Sequence, residues 1–194
     1  MISIHKVMLL GAVVAATTFT AGPAFTADQP MKQGSDQVQQ APSTLNDAQI
    51  AAIVLAANDI DVENGKFAKK HTKDTQVKEF ANRMVTDHKG ANNQVKHLAK
   101  QLKIKPQETD TSKGLKKTAD QTRDRMKKLK GAEFDRAYID NEVTFHQEVM
   151  DTIDKQLLPN AQAPELKTLI GNIRSTVESH LQQAKQIQSS LKPS

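Results

Sequence analysis

The chain has 194 residues, 27 Lys and Arg against 22 Asp and Glu for a formal net charge of +5, and neither cysteine nor tryptophan. Without cysteine, thiolate metal sites, thiol nucleophiles, disulfides and a lipid-modified precursor are all excluded. No serine, histidine and acid order, glycine-rich phosphate loop or zincin motif is present, so hydrolase and nucleotide-binding readings have no support.

Residues 1–27 carry Lys6, an uncharged apolar run from Val7 to Phe19, and then the small residues Ala21, Gly22, Ala24 and Ala27. That is the layout of a secretory signal peptide, with an apolar run too short to span a bilayer comfortably. Cleavage after Ala24 or Ala27 is expected, and removing 1–27 leaves 26 basic against 22 acidic residues, a net of +4. An exported protein with no transmembrane span after processing follows. Residues 28–44 are rich in Gln, Pro, Ser and Asp and have no apolar periodicity, which predicts a disordered leader ahead of one folded domain over 45–192.

From Asp47 the sequence becomes periodic. Ile50, Ile53, Ala57, Ile60, Asn64, Phe67 and His71 alternate steps of three and four, one face of a helix, with Asn46 or Asp47 as its cap. A second helix is predicted from about Asp74 to Leu102, with Val77, Ala81, Met84, His88, Ala91, Val95, Leu98 and Leu102 inward and Pro106 beyond its end. The short connection makes these two antiparallel neighbours. Ser112 to Lys130 predicts a shorter helix, with Leu115, Ala119, Thr122, Met126 and Leu129 inward and Gly131 ending it. The third long helix runs from about Ala132 to Leu158, closed by Pro159, with Ile139, Glu142, His146, Val149, Ile153 and Leu157 inward. The fourth opens at Pro164 and aligns Leu166, Ile170, Ile173, Val177, His180, Ala184, Ile187 and Leu191. The expected fold is all-α: a four-helix bundle with an additional short helix in the connection between the second and third long helices.

The run Phe80-Ala81-Asn82-Arg83-Met84-Val85-Thr86-Asp87-His88, the later Phe134-Asp135-Arg136-Ala137-Tyr138, and His146 and His180 resemble the bacterial exported family known as domain of unknown function 4142, often labelled outer-membrane proteins. The resemblance covers about Leu45 to Leu191. It implies a ferritin-like bundle and a periplasmic or outer-membrane-associated location, and it implies no activity.

His88, His146 and His180 each fall in the apolar stripe of a different helix, and a buried imidazole needs a partner. At 1.5 Å per residue, His88 and His146 each lie near the middle of their helices, while His180 counts about 30 Å, Glu142 about 27 Å and His146 about 21 Å from the Pro159 turn. A metal site built from His88, Glu142, His146 and His180 is therefore a candidate, its imidazole and carboxylate donors suiting a divalent zinc, iron, copper or manganese ion. Ferritin-type di-iron sites need Glu-x-x-His pairs, and none occurs here; Glu63 counts too low on the first helix to replace one. Met84 and Met150, each four residues from a histidine, read more simply as core packing. Asp87 either orients a neighbour or faces solvent.

The connecting helix concentrates positive charge. Lys113, Lys116, Lys117, Arg123, Arg125, Lys127, Lys128 and Lys130 stand against Asp120 and Asp124, a local net of +6. Lys113, Lys116, Lys117, Arg123, Lys127 and Lys128 form a candidate contact for an anionic envelope surface, against the simpler reading of a solvated face. No aromatic residue accompanies them to stack on bases, so nucleic acid is not an expected partner. The expected function is envelope stress tolerance or metal binding through the inward histidines, rather than catalysis. The alternative is a purely structural or interaction module whose histidines make core polar contacts and hold no metal.

Overall fold

In the computed structural model, residues 44–191 are described; residues 1–43, which hold the expected signal peptide and nearly all of the leader, lie outside the described residues. Helix α1 (Asp47–His71) starts where Asn46 accepts from the Gln49 amide while the Gln49 side chain accepts from the Asn46 amide, a reciprocal cap. Asp74 caps α2 (Thr75–Gln101) by accepting from the Val77 amide. Thr109 and Ser112 form a second reciprocal cap on α3 (Asp110–Met126). After α4 (Gly131–Thr152) the chain passes through a π-helical turn, Ile153–Leu157, and one short turn, α5 (Leu158–Asn160), into α6 (Pro164–Ser190). The described residues contain no strand.

The protein is an all-α, ferritin-like four-helix bundle of α1, α2, α4 and α6, with α3 as the additional helix. α1 packs on α2, α2 on α6, α6 on α4, and α4 on α1. Helix direction follows from the loops at one end. The Gln107 amide, beyond α2, donates to Ala48 O at 2.9 Å, and the Asp47 carboxylate accepts from the Gln162 and Ala163 amides at 2.8 and 3.0 Å, just before α6. α1 and α6 therefore run one way and α2 and α4 the other, and α3 carries the chain back along α1.

Two apolar layers fill the bundle. One joins Ile50, Ile53, Val95, Leu157, Leu166 and Ile170; the other joins Val77, Phe80, Met84, Phe134, Tyr138 and Ala184. Between them each long helix contributes polar groups. α1 is buried on nearly every side, because α3 covers the face a four-helix bundle would leave to water; Ala52, Asn58, Asp61 and Val62 are buried beside the expected stripe. α1 and α2 also approach closely at Gly65, where a Cβ would stand 2.7 Å from Ala81 O and 2.9 Å from a Val85 methyl.

Three local features differ from the sequence expectation. The connecting helix ends at Met126 rather than Lys130, and Gly131, with φ of +56°, starts α4 rather than terminating the helix before it. A left-handed residue turns the chain sharply at no steric cost only when it is glycine. The third long helix is interrupted by the π turn, where Leu158 N–H bonds Ile153 O, one residue before Pro159, which has no amide hydrogen. His71 is exposed: it lies past the end of the covered face, its ring 4.1 Å from that of Phe67.

Candidate metal centre

Between the two apolar layers lie five titratable side chains with almost no solvent contact: Asp61 (3% exposed), His88 (3%), Glu142 (0%), His146 (1%) and His180 (0%). They come from all four long helices. The three imidazole rings face one another, with centroids 5.7 Å apart for His88 and His146, 5.1 Å for His88 and His180, and 5.6 Å for His146 and His180. One ligand atom from each histidine lies within 4.8 Å of the other two, and the same holds for Asp61, Glu142 and His146. His146 thus stands between a histidine group and a carboxylate group.

Each ring has one nitrogen committed to an oxygen. His88 Nδ1 meets Asn58 Oδ1 at 2.8 Å, His146 Nδ1 meets the Glu142 carbonyl at 2.9 Å, and His180 Nε2 meets Asp87 Oδ2 at 2.9 Å. Those oxygens accept, so each of these nitrogens carries the ring proton. The opposite nitrogens, His88 Nε2, His146 Nε2 and His180 Nδ1, are buried without a hydrogen-bond partner. Each is left as a lone pair.

Burial, reinforced by the neighbouring His146 and His180, holds His88 well below the usual histidine range, and burial takes His146 down to about 4. Burial also lowers His180, with Asp87 opposing it. All three are therefore neutral at pH 7. The carboxyls move the opposite way: burial raises Asp61 well above the carboxylate range, with Glu142 adding to it, and lifts Glu142 to about 8. Asp61, Asn64 and Asn141 moderate the Glu142 shift, although neither of its oxygens has a hydrogen bond of good geometry. Tyr138 lies close to both acids, and burial, then Glu142 and Asp61, raises its hydroxyl.

The four sequence candidates His88, Glu142, His146 and His180 come together in two groups. Glu142 groups with Asp61 and His146, and His180 groups with His88 and His146 and is held by Asp87. Asp61 and Asn58 were not anticipated, because the apolar stripe of α1 leaves both off its centre line. Their signal was a charged residue and an amide inside the run Ile50 to Val62, where almost every other position is Ala, Ile, Leu or Val. Met84 packs in one apolar layer and Met150 against the other.

The basic helix is less free than its composition suggested. Arg123 does not face outward with the lysines: its side chain is 14% exposed, pairs with Glu63 and Asp120, and donates to Asn64 Oδ1 at 3.0 Å. The partner Glu63 comes from α1, which packs beside α3. Lys116 pairs with Glu108 at 2.8 Å and Lys127 with Asp124 at 2.7 Å, while Lys113, Lys117 and Lys128 are exposed.

A family model described as a domain of unknown function, DUF4142, matches residues 32–187. The chain belongs to this family. Among solved structures, the DUF4142 chain shares its fold with a DUF305 protein from Streptomyces coelicolor described as secreted, at 13% identity and a TM-score of 0.63, covering 74% of this chain and 92% of that one. It also shares its fold with CopM in the Cu(II)-bound form, at 16% identity and a TM-score of 0.61, covering 77% of this chain and 100% of that one. No curated protein matches the chain. No helix among the described residues is long and apolar enough to cross a membrane.

Proposed function

We propose that this DUF4142 protein is an exported binding protein for a divalent transition metal, held by His88, His146 and His180 with Asp61 and Glu142 beside them. The observation that carries the reading is the set of three buried imidazoles in the middle of the bundle, each with one partnerless ring nitrogen and with one ligand atom of each within 4.8 Å of the others. A buried lone pair without a hydrogen-bond donor is costly, and a cation among the three rings satisfies all of them at once. The second nitrogen of each ring is fixed by an oxygen acceptor, the outer support that metal-bound histidines use to set tautomer and ring orientation.

Charge selects among metals. Once a bound metal displaces their protons, the two carboxylates beside neutral imidazoles balance a divalent ion, whereas a monovalent one leaves a buried net negative charge. Imidazole and carboxylate together suit Cu(II), Zn(II), Fe(II) or Mn(II), and CopM, which shares the fold, has a Cu(II)-bound form. The apolar run at residues 7–19 and the secreted description of the DUF305 protein support export into the cell envelope, where the protein handles metal or contributes to stress tolerance.

A second reading, a purely structural module, is favoured by one contact. Asp61 Oδ2 lies 3.4 Å from His88 Nε2, so a protonated Asp61 has a use without metal. Elemental analysis of the untagged protein, with calorimetry for Cu(II), Zn(II), Fe(II) and Mn(II), separates the two. Metal binding that His88→Ala and His146→Ala abolish, with helix content retained, supports the metal reading. No binding by the wild-type protein overturns it.

A further inference from the structure

We propose that the polar groove between α2 and α6 is the passage by which a hydrated divalent cation reaches the histidine centre, with Asp87 as its receiving group and Arg83 as the charge that restrains Asp87. This rests on the metal reading above. The centre itself has almost no solvent contact, so a cation needs a route through the bundle wall. The groove, of about 730 Å³, is open to solvent along both helices and ends on His88 and Asn58, a histidine of the cluster and its hydrogen-bond partner. Asp87 also lines it: one third of its side chain is exposed, yet it reaches the buried Nε2 of His180 at 2.9 Å. A single carboxylate thus touches both water and the centre.

The walls have the chemistry to carry a cation. Thr86 on α2, and Ser175 and Thr176 on α6, each donate their hydroxyl hydrogen to a backbone carbonyl of their own helix, to Asn82, Gly171 and Asn172 respectively. Their oxygens therefore offer lone pairs rather than hydrogens to whatever occupies the groove, and such oxygens replace hydration waters one at a time. Arg83 is the one basic side chain in the lining besides His88, and it bonds Asp87 Oδ2 at 3.3 Å and Gln183 Oε1 at 3.0 Å. It keeps Asp87 against His180 and opposes a cation at the mouth. Releasing Arg83 frees the carboxylate to meet the ion.

Gly90 makes the passage testable, because a Cβ added there meets nothing within 4 Å and a larger side chain projects into the open groove. A plug in a passage slows association and release equally and leaves the dissociation constant unchanged. Stopped-flow mixing of the full chain with cobalt(II), followed by its visible absorption, and release into excess chelator read both rates. Gly90→Leu, and Ser175→Leu from the opposite wall in case the first disturbs α2, are expected to slow both by about tenfold at unchanged equilibrium affinity. Arg83→Gln is expected to accelerate association several-fold. Wild-type rates in both leucine variants overturn the passage while leaving the metal reading intact, and an unaccelerated Arg83→Gln overturns the restraint. A wild-type protein that binds no cobalt(II) at equilibrium overturns the metal reading and the passage with it.

Discussion

Asp87 accepts a hydrogen bond from His180 Nε2 at 2.9 Å, joining a carboxylate on α2 that is one third exposed to a fully buried imidazole on α6. This bond leaves Nδ1 of His180 as a buried lone pair, in a ring whose centroid lies 5.1 Å from that of His88 and 5.6 Å from that of His146. Asp87→Asn keeps an acceptor but removes the negative charge that makes the ring a stronger donor to a cation. Affinity for a divalent metal is expected to fall by about tenfold to a hundredfold, with helix content unchanged, since the loss of such outer partners costs that much elsewhere. Calorimetric titration of variant and wild type measures it; equal affinities would show that Asp87 does not support the centre.

The buried acids and bases give the metal-free protein a stability maximum near neutral pH. His146 titrates at about 4 when folded and 6.5 when unfolded, so the unfolded chain binds more protons in that window and stability falls as pH drops through it. His88 and His180 act in the same direction. Glu142 titrates at about 8 when folded against 4.5, so the folded state holds the extra proton, and stability falls as pH rises through that window. Above pH 6.5 only the carboxyl effects remain, and below it the histidine effects outnumber them. Melting with chelator present is expected to be highest near pH 6 to 7 and to decline on both sides, by on the order of 1 kcal/mol per pH unit for each group. A melting temperature that keeps rising from pH 6.5 to 8 would contradict the raised Glu142.

Gly65 and Gly90 predict opposite responses to the same substitution. Gly65→Ala drives a Cβ against Ala81 O and is expected to destabilise by about 1–3 kcal/mol. Gly90→Ala meets open space on a helix and is expected to stabilise by about 0.5–1 kcal/mol. Urea unfolding of both variants checks the pair.

Arg123 ties α3 to α1 through Asn64 and Glu63. Arg123→Ala is expected to cost about 1–2 kcal/mol, because it leaves the buried Asn64 carbonyl without its donor. Hydrogen exchange should rise first in α3. Uniform exchange across all helices would show that α3 unfolds only with the bundle.

The periodic apolar stripes were enough to identify four long helices and the connecting one, since burying a helix face against others demands that spacing whatever the topology. Counting residues along those helices also brought His88, Glu142, His146 and His180 to within a turn or two of one another, because helical rise is constant. The division of contacts was not legible. Asp61 and Asn58 entered the centre because α1 turns them toward His88 on α2 and Glu142 on α4, while the stripe residues Ala57 and Ile60 pack against Ala119 of α3. Arg123 turned inward because α3 lies along α1, where it finds Glu63 and Asn64 on a helix far away in sequence. By itself the sequence determined the four long helices, the connecting one and the approximate level of the histidines, all set by local spacing, whereas it missed the end of the connecting helix at Met126 and the π turn after Thr152. Only the tertiary structure decided which ring nitrogen is committed to an oxygen and which is free, because that depends on Asn58, Asp87 and the rotation of each helix about its axis.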